Sequence, residues 1–210
     1  MRNIILSLFV SLTLSLVTIT GAMASEVVRV LMATDAGDIL LELYPERAPA
    51  TVENFLRYVD GGYYSGGEFY RVVRQDNQAQ NNIRIEVIQG GRGMDVETEV
   101  FPPVVHETTK SSGLLHKDGV ISMGRFKPGS ATSEFFICIG DQPSLDYGGM
   151  RNPDGQGFAA FGKVITGMDI VRRVQKMPTI QPMGDELEYT SGQMLVKPVA
   201  IQSVTRINAP

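Results

Sequence analysis

Few side chains in this sequence are equipped for covalent or metal chemistry. His106 and His116 are its two histidines and Cys138 its one cysteine, and nothing around them has the spacing of a zinc site. Both histidines are therefore expected on polar loops rather than on a metal. Cys138 lies in the apolar run Phe135-Phe136-Ile137-Cys138-Ile139. A lone cysteine has no intrachain disulfide partner, and in such a run it is expected to be a small buried hydrophobe, not a reactive thiol. No Gly-x-Ser-x-Gly elbow or phosphate-binding loop occurs. Gly90-Gly91-Arg92-Gly93 is glycine-rich but lacks the strand–turn–helix context of a dinucleotide site, so it reads as a turn after a strand. Chemistry by nucleophile, metal or nucleotide is thus poorly supported. What remains is chemistry by binding and orientation, which depends on the elements that hold the side chains.

Residues 1–24 have the layout of a signal peptide. Arg2 supplies a positive start, Ile4 to Ile19 is apolar apart from Ser and Thr, and Ala22-Met23-Ala24 is a small-x-small cleavage pattern. The apolar run is short for a membrane span and no basic cluster follows it. Cleavage is expected to expose Ser25, with residues 25–210 as one domain. Losing Arg2 shifts the formal charge from −4 to −5. A mildly acidic chain without basic blocks is a poor match for nucleic acid or a membrane surface.

Val27–Met32 and Ile39–Leu43 read as a hairpin about Thr34-Asp35-Ala36-Gly37-Asp38. A helix is expected from Pro49. Proline suits its first position, Val52, Phe55, Leu56 and Val59 repeat at helical spacing, and Gly61-Gly62 stops it. Further strands are expected at Glu68–Arg74, Ile83–Gln89, Gly119–Gly124, Glu134–Gly140, Gly157–Val164 and Leu195–Ile207, with Pro198 placing the last at an edge or bulge. A second helix near Thr166 has capping-box spacing from Thr166 to Asp169. Gln75–Asn82, Tyr147–Gln156 and Thr179–Gly192 read as surface loops. Many strands with two helices indicate an antiparallel sandwich or closed barrel, and periodicity does not separate the two.

Ordered blocks decide further. Gly37-Asp38-Ile39-Leu40-Leu41-Glu42-Leu43 is followed by Ala48-Pro49-Ala50-Thr51-Val52-Glu53-Asn54-Phe55-Leu56, Phe69-Tyr70-Arg71-Val72-Val73 and Val87-Ile88-Gln89-Gly90-Gly91. Then come Ile121-Ser122-Met123, Ser133-Glu134-Phe135-Phe136-Ile137, Phe161-Gly162-Lys163-Val164 and Gly167-Met168-Asp169-Ile170-Val171. In this order they resemble the cyclophilin family over nearly all of residues 28–177, with 178–210 as a C-terminal loop and closing strand. The resemblance implies a mainly β fold: a closed eight-stranded antiparallel β-barrel capped by two α-helices. It implies peptidyl-prolyl cis/trans isomerase activity in a groove on the barrel's outer face, and no cofactor or metal.

By that resemblance Arg71 is the catalytic arginine. Val87, Phe136 and Leu145 wall a pocket for the proline ring, with Phe158 at its rim. Gln89 contacts the substrate backbone and helps hold the arginine, and Gly124-Arg125-Phe126 offer backbone hydrogen bonds to residues before proline. The pattern is not followed throughout. Tyr70 stands where a histidine is usual, Val87 where methionine is common, Glu86 where the pocket has an aromatic residue, Glu134 where a glutamine is usual, and Ser144 where many members have tryptophan. Glu134 adds a negative charge near Arg71 that either orients the guanidinium or competes with substrate for it. The expected partners are proline-containing polypeptides, unfolded or exported, met by a monomer in a bacterial periplasm. A cyclophilin-fold peptide-binding or chaperone module with little isomerase activity is the alternative, and a β-barrel carrier of a small apolar ligand is a more distant one.

Overall fold

The computed structural model describes residues 27–93, 99–181 and 189–207. The signal-peptide segment and Ser25 lie outside them, as do residues 182–188 of the Thr179–Gly192 loop. Eight strands, β1 (Val28–Thr34), β2 (Gly37–Leu43), β3 (Glu68–Val73), β4 (Val87–Gly91), β5 (Val120–Met123), β6 (Phe135–Cys138), β7 (Ala159–Thr166) and β8 (Met194–Ile207), form a closed barrel in the order β1-β2-β7-β5-β6-β4-β3-β8. Every pairing is antiparallel. Closure settles the choice that periodicity left open, and it leaves no open sheet edge among these strands.

The β1–β2 hairpin forms where expected, with Thr34 opposite Gly37 and the Thr34 hydroxyl accepting from the Ala36 N–H. Helix α1 (Pro49–Asp60) starts on its proline and ends at Gly61. Its Phe55 enters the barrel core, 5.1 Å from Tyr64 and Phe161 and 5.8 Å from Phe135 between ring centroids. A short α2 (Thr109–Ser112), capped by Thr108, is an extra turn of helix. Helix α3 (Met168–Gln175) buries Ile170, Val171 and Val174. The expected capping box at its start does not form: Thr166 stays in β7, and Gly167 caps the helix at φ +99°, with no side-chain cap. A Cβ on Gly167 would fall 2.6 Å from the Asp38 carbonyl oxygen, so glycine is required there for space as well as for conformation.

Inward residues of all eight strands, with α1 and α3, make one apolar core containing Met32, Leu41, Phe69, Ile88, Ile121, Phe135, Phe161 and Ile201. Because side chains fill the barrel, the reading as a carrier with its ligand inside the barrel is set aside. Pro198 lies in a bulge: β8 pairs Val199 with Phe69 and next Met194 with Arg71, setting residues 195–198 against a single residue of β3, and Leu195 and Val196 pair with Thr179 and Pro178 instead. No helix among the described residues is long and apolar enough to cross a membrane.

Candidate active site

Strand register builds the site. Arg71 on β3 lies opposite Gln89 on β4, Gln89 opposite Phe136 on β6, and Phe136 opposite Ser122 on β5. The adjacent row runs Val73–Val87–Cys138. Alternate residues Ile88, Phe135, Ile137 and Ile121 point into the core, so both rows face outward. With neighbouring strands about 4.8 Å apart, one strand separates the guanidinium-bearing residue from the aromatic one, a span of roughly 10 Å.

Arg71 is buried, and its donors are spent on neutral acceptors. Nη1 donates to Gln89 Oε1 at 2.8 Å, and Nε and Nη2 both donate to Gln193 Oε1, at 2.9 and 2.5 Å. The Tyr189 ring lies 4.7 Å from its Cζ. Gln89 passes the order on, as its Nε2 donates to the Tyr70 oxygen at 2.8 Å and the Tyr70 hydroxyl donates to Glu134 Oε2 at 2.5 Å. The Arg92 N–H donates to the other Glu134 oxygen at 3.1 Å. Glu134 therefore neither pairs with Arg71 nor blocks it; it anchors the far end of a relay that ends on the guanidinium. Burial raises the Glu134 carboxyl above its usual range, with the Tyr70 and Arg92 donors opposing the shift. The Tyr70 phenol is pushed well above its ordinary value, first by burial and then by the Glu134 charge.

Beside this relay lies a second apolar cluster, separate from the barrel core: Val73, Ile85, Val87, Phe136, Cys138, Leu145 and Phe158. The Phe136 and Phe158 rings meet edge to face at 5.3 Å. All four expected pocket residues fall in this cluster. Glu86 does not join it: its carboxylate accepts from Gln75 and Gln175. Cys138 is buried here and its thiol is pushed well up by desolvation, consistent with a packing role.

His116 differs from a polar-loop residue, since it is 1% exposed. One ring nitrogen meets Asp146 at 2.7 Å, the other meets the Ser122 hydroxyl at 3.0 Å, and the ring stacks on Phe136 at 5.9 Å. Ser, His and Asp in contact resemble a hydrolytic triad, but Ser122 is 0% exposed and cannot meet a substrate. The arrangement backs the Phe136 ring instead. His106, which meets the Gln156 carbonyl, is half-buried and held below its usual value mainly by desolvation.

Gly124 and Arg125 lie along the pocket's rim. The Gly124 N–H is committed to the Glu134 carbonyl at 2.7 Å. The Arg125 side chain is almost wholly buried: it pairs with Asp154 at 2.8 Å, donates to the Gly157 carbonyl and stacks 5.1 Å from Phe158. It is a brace for the rim. The Phe126 side chain is 94% exposed and packs on nothing in the pocket, and its N–H is taken by the Ser130 hydroxyl. Of the expected backbone contacts, the N–H groups of Gly124 and Phe126 are thus already engaged within the protein.

Three residues of this face carried no sequence signal: Gln193, Tyr189 and Arg151. The polar stretch 75–82 also does more than cover the surface. Gln78 is buried, bonding Ile85 through both its N–H and its carbonyl, and Gln80 holds the carbonyls of Tyr189 and Ser191. A cavity of about 310 Å³ lined by Val28, Pro45, Pro49 and Arg206 among others lies elsewhere and contains none of these groups.

Residues 29–206 match the family model described as cyclophilin type peptidyl-prolyl cis-trans isomerase/CLD. The chain is 36% identical to peptidyl-prolyl cis-trans isomerase A of Dickeya dadantii, over 90% of each chain. It is 33% identical to peptidyl-prolyl cis-trans isomerase B of Escherichia coli, over 70% of this chain and 83% of the other. In fold it matches a crystal structure of a cyclophilin-type isomerase from Cryptosporidium parvum with a TM-score of 0.63 and 20% identity, covering 88% of this chain and all of that one.

Proposed function

We propose that this chain, which belongs to the cyclophilin-type peptidyl-prolyl cis-trans isomerase family and accelerates rotation of X–Pro bonds, stabilises the twisted transition state with the Arg71 guanidinium. Amide resonance sets a barrier of about 20 kcal/mol. As the bond twists, resonance is lost and a lone pair localises on the prolyl nitrogen, which has no hydrogen. A fixed donor aimed at that nitrogen binds the transition state better than either ground state.

The observation that carries this reading is the neutral clamp on Arg71. A guanidinium has five N–H donors. Gln89 and Gln193 take three, leaving one on each terminal nitrogen, where the exposed Tyr189 lies within reach and gives way to substrate. No carboxylate among the described residues pairs with Arg71 to offset its charge. One charge-assisted hydrogen bond contributes about 1.5–3 kcal/mol, roughly 10- to 100-fold in rate. The Val87–Phe136–Leu145–Phe158 surface receives the proline ring, Gln89 meets the neighbouring backbone, and the 124–125 backbone guides the residues before proline.

The test is cis–trans exchange of a short Ala-Pro peptide by NMR, which needs no coupling protease. Arg71→Ala is expected to lose about 10-fold or more. A folded Arg71→Ala protein at the wild-type rate would remove Arg71 from the mechanism. The signal-like residues 1–24 support export, with unfolded exported chains as clients of a periplasmic monomer. N-terminal sequencing of exported protein is expected to begin at Ser25.

A further inference from the structure

A second arginine sits on the same face as Arg71 without an acidic partner. Arg151 is 7% exposed. Its Nη1 donates to Gln78 Oε1 at 3.0 Å and to the Ile83 carbonyl, and its buried Nε has no acceptor at all. No carboxylate among the described residues pairs with it. In a chain of formal charge −4, two buried cations on one face with only neutral partners are an uncompensated positive island. Burying a charge without a counterion is costly, and a ligand that brings the counterion recovers that cost.

What covers the two arginines is Tyr189. Its ring stacks on the Arg71 guanidinium, and its hydroxyl lies within reach of both cations. Burial raises the phenol, but Arg71 and then Arg151 outweigh that effect and hold it below its ordinary value. A phenol is a weak answer to two guanidiniums, and Tyr189 is 61% exposed on a turn held through its backbone carbonyl by Gln80. It is easily displaced by a carboxylate.

Position sets which substrate residue reaches the pair. Arg125 braces the Phe158 side of the pocket. Arg151 lies on the other side, where its N–H bonds the Ser144 carbonyl beside Leu145 and its guanidinium bonds Ile83, two residues before Ile85 of the pocket wall. A chain that enters over 124–125 and seats its proline in the pocket leaves towards Arg71 and Arg151. Glu86, along that edge, is turned to Gln75 and Gln175.

We infer that Arg151, with the charge of Arg71 beside it, forms an anion subsite that selects substrates with an acidic side chain directly after proline: the carboxylate displaces Tyr189 and bonds Arg151, leaving the free N–H groups of Arg71 to the proline. This rests on the groove assigned above. The test compares Ala-Ala-Pro-Glu, Ala-Ala-Pro-Gln and Ala-Ala-Pro-Lys peptides by NMR exchange at low ionic strength, with dissociation constants from chemical-shift titration of the same peptides. The glutamate peptide is expected to exceed the glutamine peptide by about fivefold or more in kcat/KM, with lysine below both. The ratio should shrink on adding about 0.5 M salt, through screening. Arg151→Gln should bring the Glu:Gln ratio close to one, whereas Arg151→Lys, which keeps the charge, should retain most of it. Equal handling of the glutamate and glutamine peptides by the wild type, or an unchanged ratio in folded Arg151→Gln, overturns the subsite. If none of the peptides is accelerated, it is the groove's isomerase reading that fails. The dissociation constants then still decide the anion preference.

Discussion

Gln193→Ala separates the orientation of Arg71 from its presence. The Gln193 carbonyl oxygen accepts from both Nε and Nη2, and its own amide donates to the Asn77 carbonyl at 3.2 Å. Removing it leaves a buried guanidinium held by one amide, Gln89 at Nη1, with only the exposed Tyr189 beside it. Two costs follow. Buried donors left unpaired destabilise a fold by about 1–3 kcal/mol. A guanidinium free to turn about its remaining bond is aimed at the prolyl nitrogen only part of the time, so a fraction of the 1.5–3 kcal/mol expected of that contact is lost, about 3- to 10-fold in rate. The assay is NMR exchange on the Ala-Pro peptide, with urea unfolding of the same samples, for wild type, Gln193→Ala, Arg71→Ala and the double variant. If Gln193 acts only through Arg71, the double variant is no slower than Arg71→Ala, because residues that act as a unit are non-additive. A double variant slower than Arg71→Ala by the full Gln193 factor, or a folded Gln193→Ala at the wild-type rate, refutes the reasoning.

Two more perturbations read other parts of the site. Burial raises the Glu134 carboxyl above the ordinary 4.5, so the native state binds this proton more tightly than the unfolded chain does. Lowering the pH from 7 through the raised value should therefore add stability, with the gain complete below about 4.5, and Glu134→Gln should lack that increment. Urea unfolding of both proteins from pH 4 to 7 measures it, and matching pH profiles contradict it. Phe136, packed between Phe158 and His116, should cost about 3–5 kcal/mol as Phe136→Ala. Phe136→Leu, nearer in volume, should stay folded, with KM raised more than kcat is lowered; an unchanged KM would mean the proline ring does not sit there.

How far the sequence reveals this depends on how local the deciding contacts are. Helix α1 is legible because proline, the apolar repeat and Gly61 all lie within it. Arg71, Gln89 and Phe136 are legible as a set because strands that alternate in and out carry their outward residues into one row. Strand β4 begins at Val87 and not at Ile83, because the Gln78 amide occupies both the N–H and the carbonyl of Ile85 in place of a strand partner. Gln193 lies 122 residues from Arg71. The bulge at residues 195–198 brings it there by shifting the register of β8 against β3, and no local pattern announces such a shift. The same bulge leaves the Gln193 carbonyl to accept from the Val72 N–H at 2.9 Å, which fixes its backbone as firmly as a ladder pair.

Tyr70 and Glu134 look like two separate departures in the sequence, but in the fold they are one. A buried carboxylate on this face without donors carries a desolvation cost, and so does a buried phenol without an acceptor. Together the Tyr70 O–H meets Glu134, and the Arg92 N–H meets the remaining carboxylate oxygen. Gly91 leaves the room, since a Cβ there would fall 2.1 Å from Glu134 Oε1. The consequence reaches Arg71 through one amide. With the Tyr70 proton given to Glu134, its oxygen is left to accept from Gln89 Nε2, and that orientation turns Gln89 Oε1 towards the guanidinium. The opposite orientation would set an amide NH₂ against a cation and leave a phenol oxygen facing a carbonyl. The negative charge at Glu134 therefore orders the arginine at a distance and without neutralising it, as a donor to a developing lone pair requires. A glutamate bonded directly to Arg71 would instead have occupied the N–H groups that the substrate needs.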